Sequence, residues 1–275
     1  MVSMHRFYIN PDDIQGDMAT MIGQDAKHLA NVLRLVSGNM VELADGNGTH
    51  YLSEIETATS RKVIFKIMDK RFLEAESPAY ITIAQAMVKE KKMDLIIRHL
   101  TELGIREWLP FFASRSVPCP DSLSKNQAHV PISKSGANRK GRDARVERWE
   151  RIARESIKQC GRSLLPLIRQ PMSFDQTIRE SEVYDERILF WEKATTPIDE
   201  IRERLSKTPD AVGEKKIIVM IGPEGGFSEQ EIDVALQNGF HSFSLGNRIL
   251  RAETASIAAS ALVQNIFGDL GRKIR

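Results

Sequence analysis

The chain has 275 residues, with 39 Lys+Arg against 37 Asp+Glu, a net charge of +2 and 41% hydrophobic residues. At about 150 residues per domain this length suggests two domains, and the apolar share is ample for a core. The near-balance excludes a disordered polycation, and no apolar run approaches the ~20 residues that span a bilayer. The start, Met1-Val2-Ser3-Met4-His5-Arg6, lacks the apolar stretch of a secretory signal. With only Cys119 and Cys160, there is no disulfide framework, and a reducing compartment is expected.

Residues 1–73 read as short strands. His5–Ile9, Met40–Leu43, His50–Ile55 and Arg61–Ile67 alternate with period two, and a helical segment is expected from Asp25 to Leu35. Asp45-Gly46-Asn47-Gly48 sits between two of these strands and reads as a hairpin turn. It is similar to the acidic-glycine loop of Rossmann-type methyltransferases, but that loop must enter a helix, and Thr49–Ile55 reads as a strand. Together these features predict a small β-barrel. Glu74–Pro78 is polar, ends in Pro and makes a linker.

From residue 79 onward strands alternate with helices. Strands are expected at Tyr80–Ala86, Trp108–Phe112, Ile188–Trp191, Ile217–Ile221 and His241–Leu245. Helices are expected at Met93–Leu103, Pro197–Leu205, Ser228–Asn238 and Glu253–Phe267. The first helix should bury Leu95, Ile96, His99, Leu100 and Leu103, with Gly104 at its end. This rhythm predicts an α/β domain over 79–275 with a largely parallel sheet. Residues 114–143, rich in Pro, Gly, Ser and basic side chains, interrupt it with an unusually long loop.

Three segments carry candidate chemistry. In Met220–Glu231 an apolar strand runs into Gly222-Pro223-Glu224-Gly225-Gly226, and Ser228 with Glu231 has capping-box spacing. Glycines at the carboxyl end of such a strand let backbone approach a ligand. In Leu245–Ser256 a second strand ends in Gly246, with Arg248, Arg251 and Glu253 before a helix rich in small residues, suited to close packing or to ligand contact. Lys134–Arg169 holds eleven basic residues against four acids, a net +7. Its helix has an apolar stripe (Val146, Trp149, Ile152, Ala153, Ile157 and Cys160) and a basic face. That face fits either a salt-laced surface or a phosphate backbone. There is no P-loop, and the six scattered histidines give no zinc pattern.

These segments resemble the 16S ribosomal RNA uridine N3-methyltransferase (RsmE-type) family of the SPOUT superfamily. The matching stretches are His5–Tyr8, Ala86–Lys89, Thr101–Ile105, Arg148–Ala153, Gln159–Arg162, Ile221–Phe227, Leu245-Gly246, Arg248–Arg251 and Glu253–Ala255. Asn247 stands where Pro is commoner, and the 118–140 loop is longer than usual. The resemblance implies a PUA-like N-terminal barrel, which binds RNA, over 1–73. It implies a SPOUT methyltransferase domain over 79–275 with a trefoil knot, which fold statistics alone would not suggest. It further implies a cytoplasmic homodimer that uses S-adenosylmethionine, no metal, and a uridine of small-subunit ribosomal RNA as target. By resemblance and position, Phe190, Ile221, Gly222, Gly225, Leu245, Gly246, Ile249 and Leu250 hold the cofactor. Glu224 and Glu253 are alternative general bases, and Arg251 stabilises the uracil anion. Arg6, Arg34, Arg148 and Arg162 are the expected RNA contacts.

Overall fold

A computed structural model describes residues 4–72, 76–116, 144–201 and 214–271. The expected loop 114–143 lies outside these residues from 117 onward, as do the start of the linker and the end of the helix expected at Pro197–Leu205. The chain forms two compact units. The first is Met1–Glu76 joined by Ala153–Leu165; the second is Ser77–Ile152 with Pro166–Arg275. A single cut at 73–79 therefore does not describe the chain, which returns to the first unit some 80 residues later.

The first unit is built on β1 (Arg6–Tyr8), β2 (Ile14–Gln15), β3 (Met18–Ile22), β4 (Met40–Ala44), β5 (Thr49–Ala58) and β6 (Lys62–Phe72). They form a six-stranded sheet in the order β1-β4-β5-β6-β3-β2, antiparallel except for the β1–β4 pair. The hairpin expected at Asp45–Gly48 is present. Asp45 Oδ1 accepts from Asn47 N at 2.8 Å and Thr49 N at 3.1 Å, while Gly46 and Gly48 take φ of 75° and 100°. The β2–β3 hairpin escaped the sequence reading, because Ile14–Ile22 has no clean alternation. The helical segment is α1 (Gly23–Lys27) continued by a π turn at His28–Val32. It ends before Leu35 because Arg34 adopts φ 55°, a left-handed conformation uncommon for a non-glycine residue. Phe7, Met21, Leu29, Leu43, Ile55 and Phe65 are among the residues of its core.

The returning segment closes on this unit through charge. Arg162 is 7% exposed and Glu76 11%. Arg162 Nη2 and Nε donate to Glu76 Oε2 at 2.8 and 3.2 Å, and the backbone N–H groups of Ser163 and Leu164 donate to Oε1. A charge this buried demands a partner, and here every strong acceptor of the carboxylate is used.

The second unit centres on a parallel sheet of β7 (Tyr80–Ala86), β8 (Glu107–Phe112), β9 (Leu167–Ile168), β10 (Met172–Ser173), β11 (Glu186–Phe190), β12 (Lys216–Ile221) and β13 (His241–Phe243). The order is β10-β8-β7-β12-β11-β13, with β9 also on β8. Pro110 lies inside β8, where a missing N–H would normally break a ladder. It is tolerated because β9 pairs with Glu107 and Trp108 and β10 with Phe111 and Phe112, leaving Pro110 opposite the gap.

The helices are α2 (Glu90–Glu102), α3 (Ala144–Cys160), α4 (Phe174–Glu180), α5 (Glu229–Gln237) and α6 (Ala252–Phe267). On α2 the buried stripe is Met93, Ile96, Ile97, Leu100 and Thr101, not the expected face with Leu95 and His99. Leu95 is exposed, and His99 Nδ1 lies 3.3 Å from Glu102. Thr101 joins the buried stripe because its hydroxyl donates to Ile97 O at 2.7 Å. Gly104 ends the helix with φ 84°. On α3, Val146, Trp149, Ala153 and Ile157 are buried as expected, whereas Cys160 is exposed at the helix end. Trp149 packs edge-on to Trp108 with centroids 4.8 Å apart.

Removing one partner of a buried ion pair strands the other charge. Arg162→Ala should therefore lower unfolding free energy by about 3 kcal/mol, read from the urea midpoint. A loss under about 0.5 kcal/mol, the size of an ordinary surface change, would show that the Glu76 pair does not hold this segment.

Candidate functional site

The strands of a parallel sheet all end on one edge, and ligands of open α/β sheets bind there. In the second unit that edge carries a cavity of about 360 Å³, within the usual size of a small-molecule site. It is lined by Phe190 at the end of β11, Ile221 at the end of β12, and Leu245 and Gly246 after β13. The turn 222–227 and the loop 248–251 complete it, together with the first turn of α6 at Ala252 and Ala255. Both glycine-bearing turns thus face one space.

Local sequence fixes each wall. Ser228 and Glu231 form the expected capping box, and Glu231 Oε1 also accepts from Ser114 N at 2.7 Å. This ties the turn after β12 to the stretch after β8. Gly226 needs its freedom for its φ of 67°; a Cβ there would also come within 2.7 Å of Glu192 Oε1, the movable tip of a side chain. Gly246 takes φ 98° with open space around it, so conformation rather than crowding requires glycine there.

Of the eight residues expected to hold a cofactor, Phe190, Ile221, Gly222, Leu245, Gly246, Ile249 and Leu250 line the cavity. Gly225 does not. Its carbonyl accepts from Arg115 Nη1 at 3.0 Å, and a Cβ would press on the Arg115 side chain. Glu224 and Arg251 line the cavity, and Glu253 sits beside it through a shared partner. That partner is Lys92, which the sequence reading did not select. Its Nζ lies 3.0 Å from Glu224 Oε1 and 3.1 Å from Glu253 Oε2. The run Lys89-Glu90-Lys91-Lys92, directly after a strand of the parallel sheet, was the available signal. Trp191 and Glu192 were missed in the same way, lying one and two residues beyond a strand end. Trp191 Nε1 is a buried donor with no partner among the described residues.

The carboxylates of Glu224 and Glu253, paired with its Nζ, raise the Lys92 pKa, so the ammonium keeps its proton. Burial pushes the Glu253 carboxyl up, but its own backbone N–H, Lys92 and the charge of Arg251 hold it below the ordinary carboxylate value. Arg251 is the N-cap residue of α6. A cation at a helix N-terminus opposes the helix dipole, and the acids around Lys92 offset that cost.

None of the expected RNA contacts lines this cavity, and they differ among themselves. Arg6 Nη2 pairs with Glu42 at 2.6 Å, and Glu42 also meets His50 Nδ1 at 2.7 Å. Arg148 pairs with Glu90 and Asp94. Arg162 is buried on Glu76, as described. Lys158 pairs with Asp25 and Glu155. The net +7 counted along 134–169 is therefore offset in part by acids from distant sequence. Arg34 is exposed, and no carboxylate pairs with it among the described residues. Lys134–Arg142 lie outside those residues. Among the described residues no group of three or more His, Cys, Asp or Glu could hold a metal, and no helix is long and apolar enough to cross a membrane.

Residues 75–264 match the family described as RNA methyltransferase domain, and residues 22–68 the RNA methyltransferase PUA domain. The ribosomal RNA small subunit methyltransferase E of Buchnera aphidicola is 30% identical over 267 residues, covering 96% of this chain and 94% of its own. The protein of the same name from Bacillus subtilis is 26% identical over 265 residues, covering 94% and 96%. Among solved structures, a Legionella pneumophila chain in complex with SAM is 26% identical, with a TM-score of 0.80 over 98% of this chain and 100% of that one. The ribosomal RNA small subunit methyltransferase E of Neisseria gonorrhoeae bound to S-adenosyl methionine is 25% identical, with a TM-score of 0.75 over 97% and 99%.

A carboxyl that is a stronger acid folded than unfolded adds stability above its unfolded pKa, and loses it as pH falls through the folded value. Between about pH 5 and pH 3, wild-type stability should fall more steeply than that of Glu253→Gln. Urea unfolding at stepped pH reads the two slopes. Equal slopes would mean that Lys92 and Arg251 do not favour the ionised form.

Proposed function

Because the chain belongs to the RNA methyltransferase family, we propose that it transfers a methyl group from S-adenosylmethionine to N3 of a uridine in small-subunit 16S ribosomal RNA. The observation that carries this reading is the single cavity shared by the turns 221–227 and 245–251, with Lys92 and Arg251 on its wall.

The residues present fit this cofactor. Phe190, Ile221, Leu245 and Leu250 offer apolar walls to an adenosine, the backbone of both turns offers polar groups, and the orphaned Trp191 N–H awaits an acceptor. S-adenosylmethionine, when bound, supplies an electrophilic methyl group on a sulfonium. The chain's own task is alignment, since in-line displacement depends on geometry. Uracil N3 keeps a proton at neutral pH, so a base must take it or cations must stabilise the anion. Glu253, held below the ordinary carboxylate value, serves to hold Lys92. Glu224, with 30% of its side chain exposed against 14% for Glu253, is placed to take the proton. Arg251 and the third N–H of Lys92 then meet the negative charge that spreads onto the uracil oxygens. N3 lies on the Watson–Crick edge, so the base must enter unpaired.

For RNA contact, Arg34 on the PUA-like unit is the leading cation, because Arg6, Arg148 and Arg162 already carry carboxylate partners. The cytoplasmic setting, the homodimer and the knot implied by resemblance belong to this proposal.

Arg251→Ala should cut methyl incorporation into small-subunit RNA by about 10²-fold or more, the scale of a lost anion-stabilising donor. Calorimetric S-adenosylmethionine binding should persist in that variant, with NAD and ATP as negative controls. Mass spectrometry of digested RNA identifies the nucleoside, and a product other than N3-methyluridine overturns the assigned position. Unchanged turnover in the variant removes Arg251 from the chemistry. Arg34→Glu should weaken RNA binding and shallow its log–log salt dependence by roughly one; an unaltered slope would place the RNA elsewhere.

A further inference from the structure

Gln85 is an amide in a place where the sheet would ordinarily hold a hydrocarbon. It is fully buried near the end of β7, opposite Ile221 in the ladder with β12. It does not line the cavity. Its Nε2 donates to Ala86 O at 2.8 Å and lies 3.5 Å from Gly222 O. On the other side, Oε1 accepts from the hydroxyl of Ser256, which also lies 2.9 Å from Ala252 O.

The neighbours dictate which way this amide faces. Two carbonyl oxygens on one side require the NH₂, and the hydroxyl on the other can donate to the oxygen. The reverse orientation would set Oε1 against two carbonyls. Burying a polar side chain is costly unless its partners are met, and these partners sit in the two walls of the site. Gly222 belongs to the first glycine turn, and Ala252 begins the helix that closes the second.

We infer that Gln85 is a positioning residue that sets the spacing between the Gly222 turn and the start of α6, and thereby the affinity of the cavity for S-adenosylmethionine. The inference rests on the methyltransferase reading. Gln85 acts through Gly222 and Ser256 and touches no reacting atom. Only an amide satisfies both sides at every pH. A carboxylate at this position faces Ala86 O and Gly222 O with no hydrogen to offer, and regains one only when protonated. Burial favours that protonated form.

The test is calorimetry with S-adenosylmethionine at pH 6, 7 and 8 on wild type, Gln85→Leu, Gln85→Glu and Ser256→Ala. Amide hydrogen exchange over 221–226 and 252–256 in the ligand-free proteins provides a second readout. Gln85→Leu should bind at least tenfold more weakly at every pH, with faster exchange in both segments. Gln85→Glu should bind weakly at pH 8 and recover several-fold by pH 6, while wild type changes little. Ser256→Ala should lose a few-fold, without pH dependence. A purely structural glutamine would change the melting temperature but leave affinity in the folded protein, and its pH profile, as in wild type. If Gln85→Leu does not fold, Gln85→Glu and Ser256→Ala decide: wild-type affinities and a flat profile overturn the inference. Failure of wild type itself to bind overturns the methyltransferase reading, and this inference with it. Wild-type binding with unaltered variants overturns the inference alone.

Discussion

One ammonium held between two carboxylates organises the site. Lys92 comes from the helix after β7, Glu224 from the turn after β12, and Glu253 from the first turn of α6. Each stands at a different strand or helix end, and nothing in their local backbones obliges the three to meet. The parallel ladder does that work: β12 pairs with β7 on one side and β11 on the other, so their carboxyl ends emerge side by side. The ion triad then converts a shared edge into a fixed arrangement of charge. It leaves Arg251 as the neighbouring cation with no ion pair of its own among the described residues, which suits a group meant to meet transient negative charge.

Much of this frame was legible because parallel strands are buried on both faces and read as apolar runs. Tyr80–Ala86 and Ile217–Ile221 declare themselves in this way, and the capping box at Ser228 and Glu231 marks where the helix must begin. The glycine turns were legible as turns, and their convergence followed from placing both at strand ends. What stayed hidden were the residues one step further along. Trp191 reads as the last residue of a buried strand that in fact ends at Phe190, Glu192 follows it, and Lys92 looks like one more solvated lysine until Glu224 and Glu253 are placed beside it. The turn of α2 was misjudged for a related reason. Thr101 is polar in composition but satisfies its hydroxyl within the helix, and so joins a buried stripe that hydrophobicity alone assigns to Leu95.

Charge was the least legible property. Counting along 134–169 finds a basic segment, yet the acids that answer it lie far away in sequence: Glu76 for Arg162, Glu90 and Asp94 for Arg148, and Asp25 for Lys158. A linear count cannot pair residues separated by 50 to 130 positions. The reverse holds for Arg34, a single arginine in an unremarkable stretch, which is exposed on a left-handed backbone after a π turn. Unusual backbone of this kind persists only where surrounding structure enforces it.

The return of Ala153–Leu165 to the first unit also has a temporal meaning. A chain leaving the ribosome makes all six strands of the N-terminal sheet long before it makes Arg162. Glu76 must wait through 86 further residues for its counter-charge. Until then, the nascent sheet lacks its last polypeptide segment and carries an unanswered acid at its end. At synthesis speeds of about 5–20 residues per second, that interval lasts several seconds. The N-terminal unit is thus completed only partway through synthesis of the second unit, and a nonsense mutation anywhere before codon 162 leaves even this early-made unit unfinished.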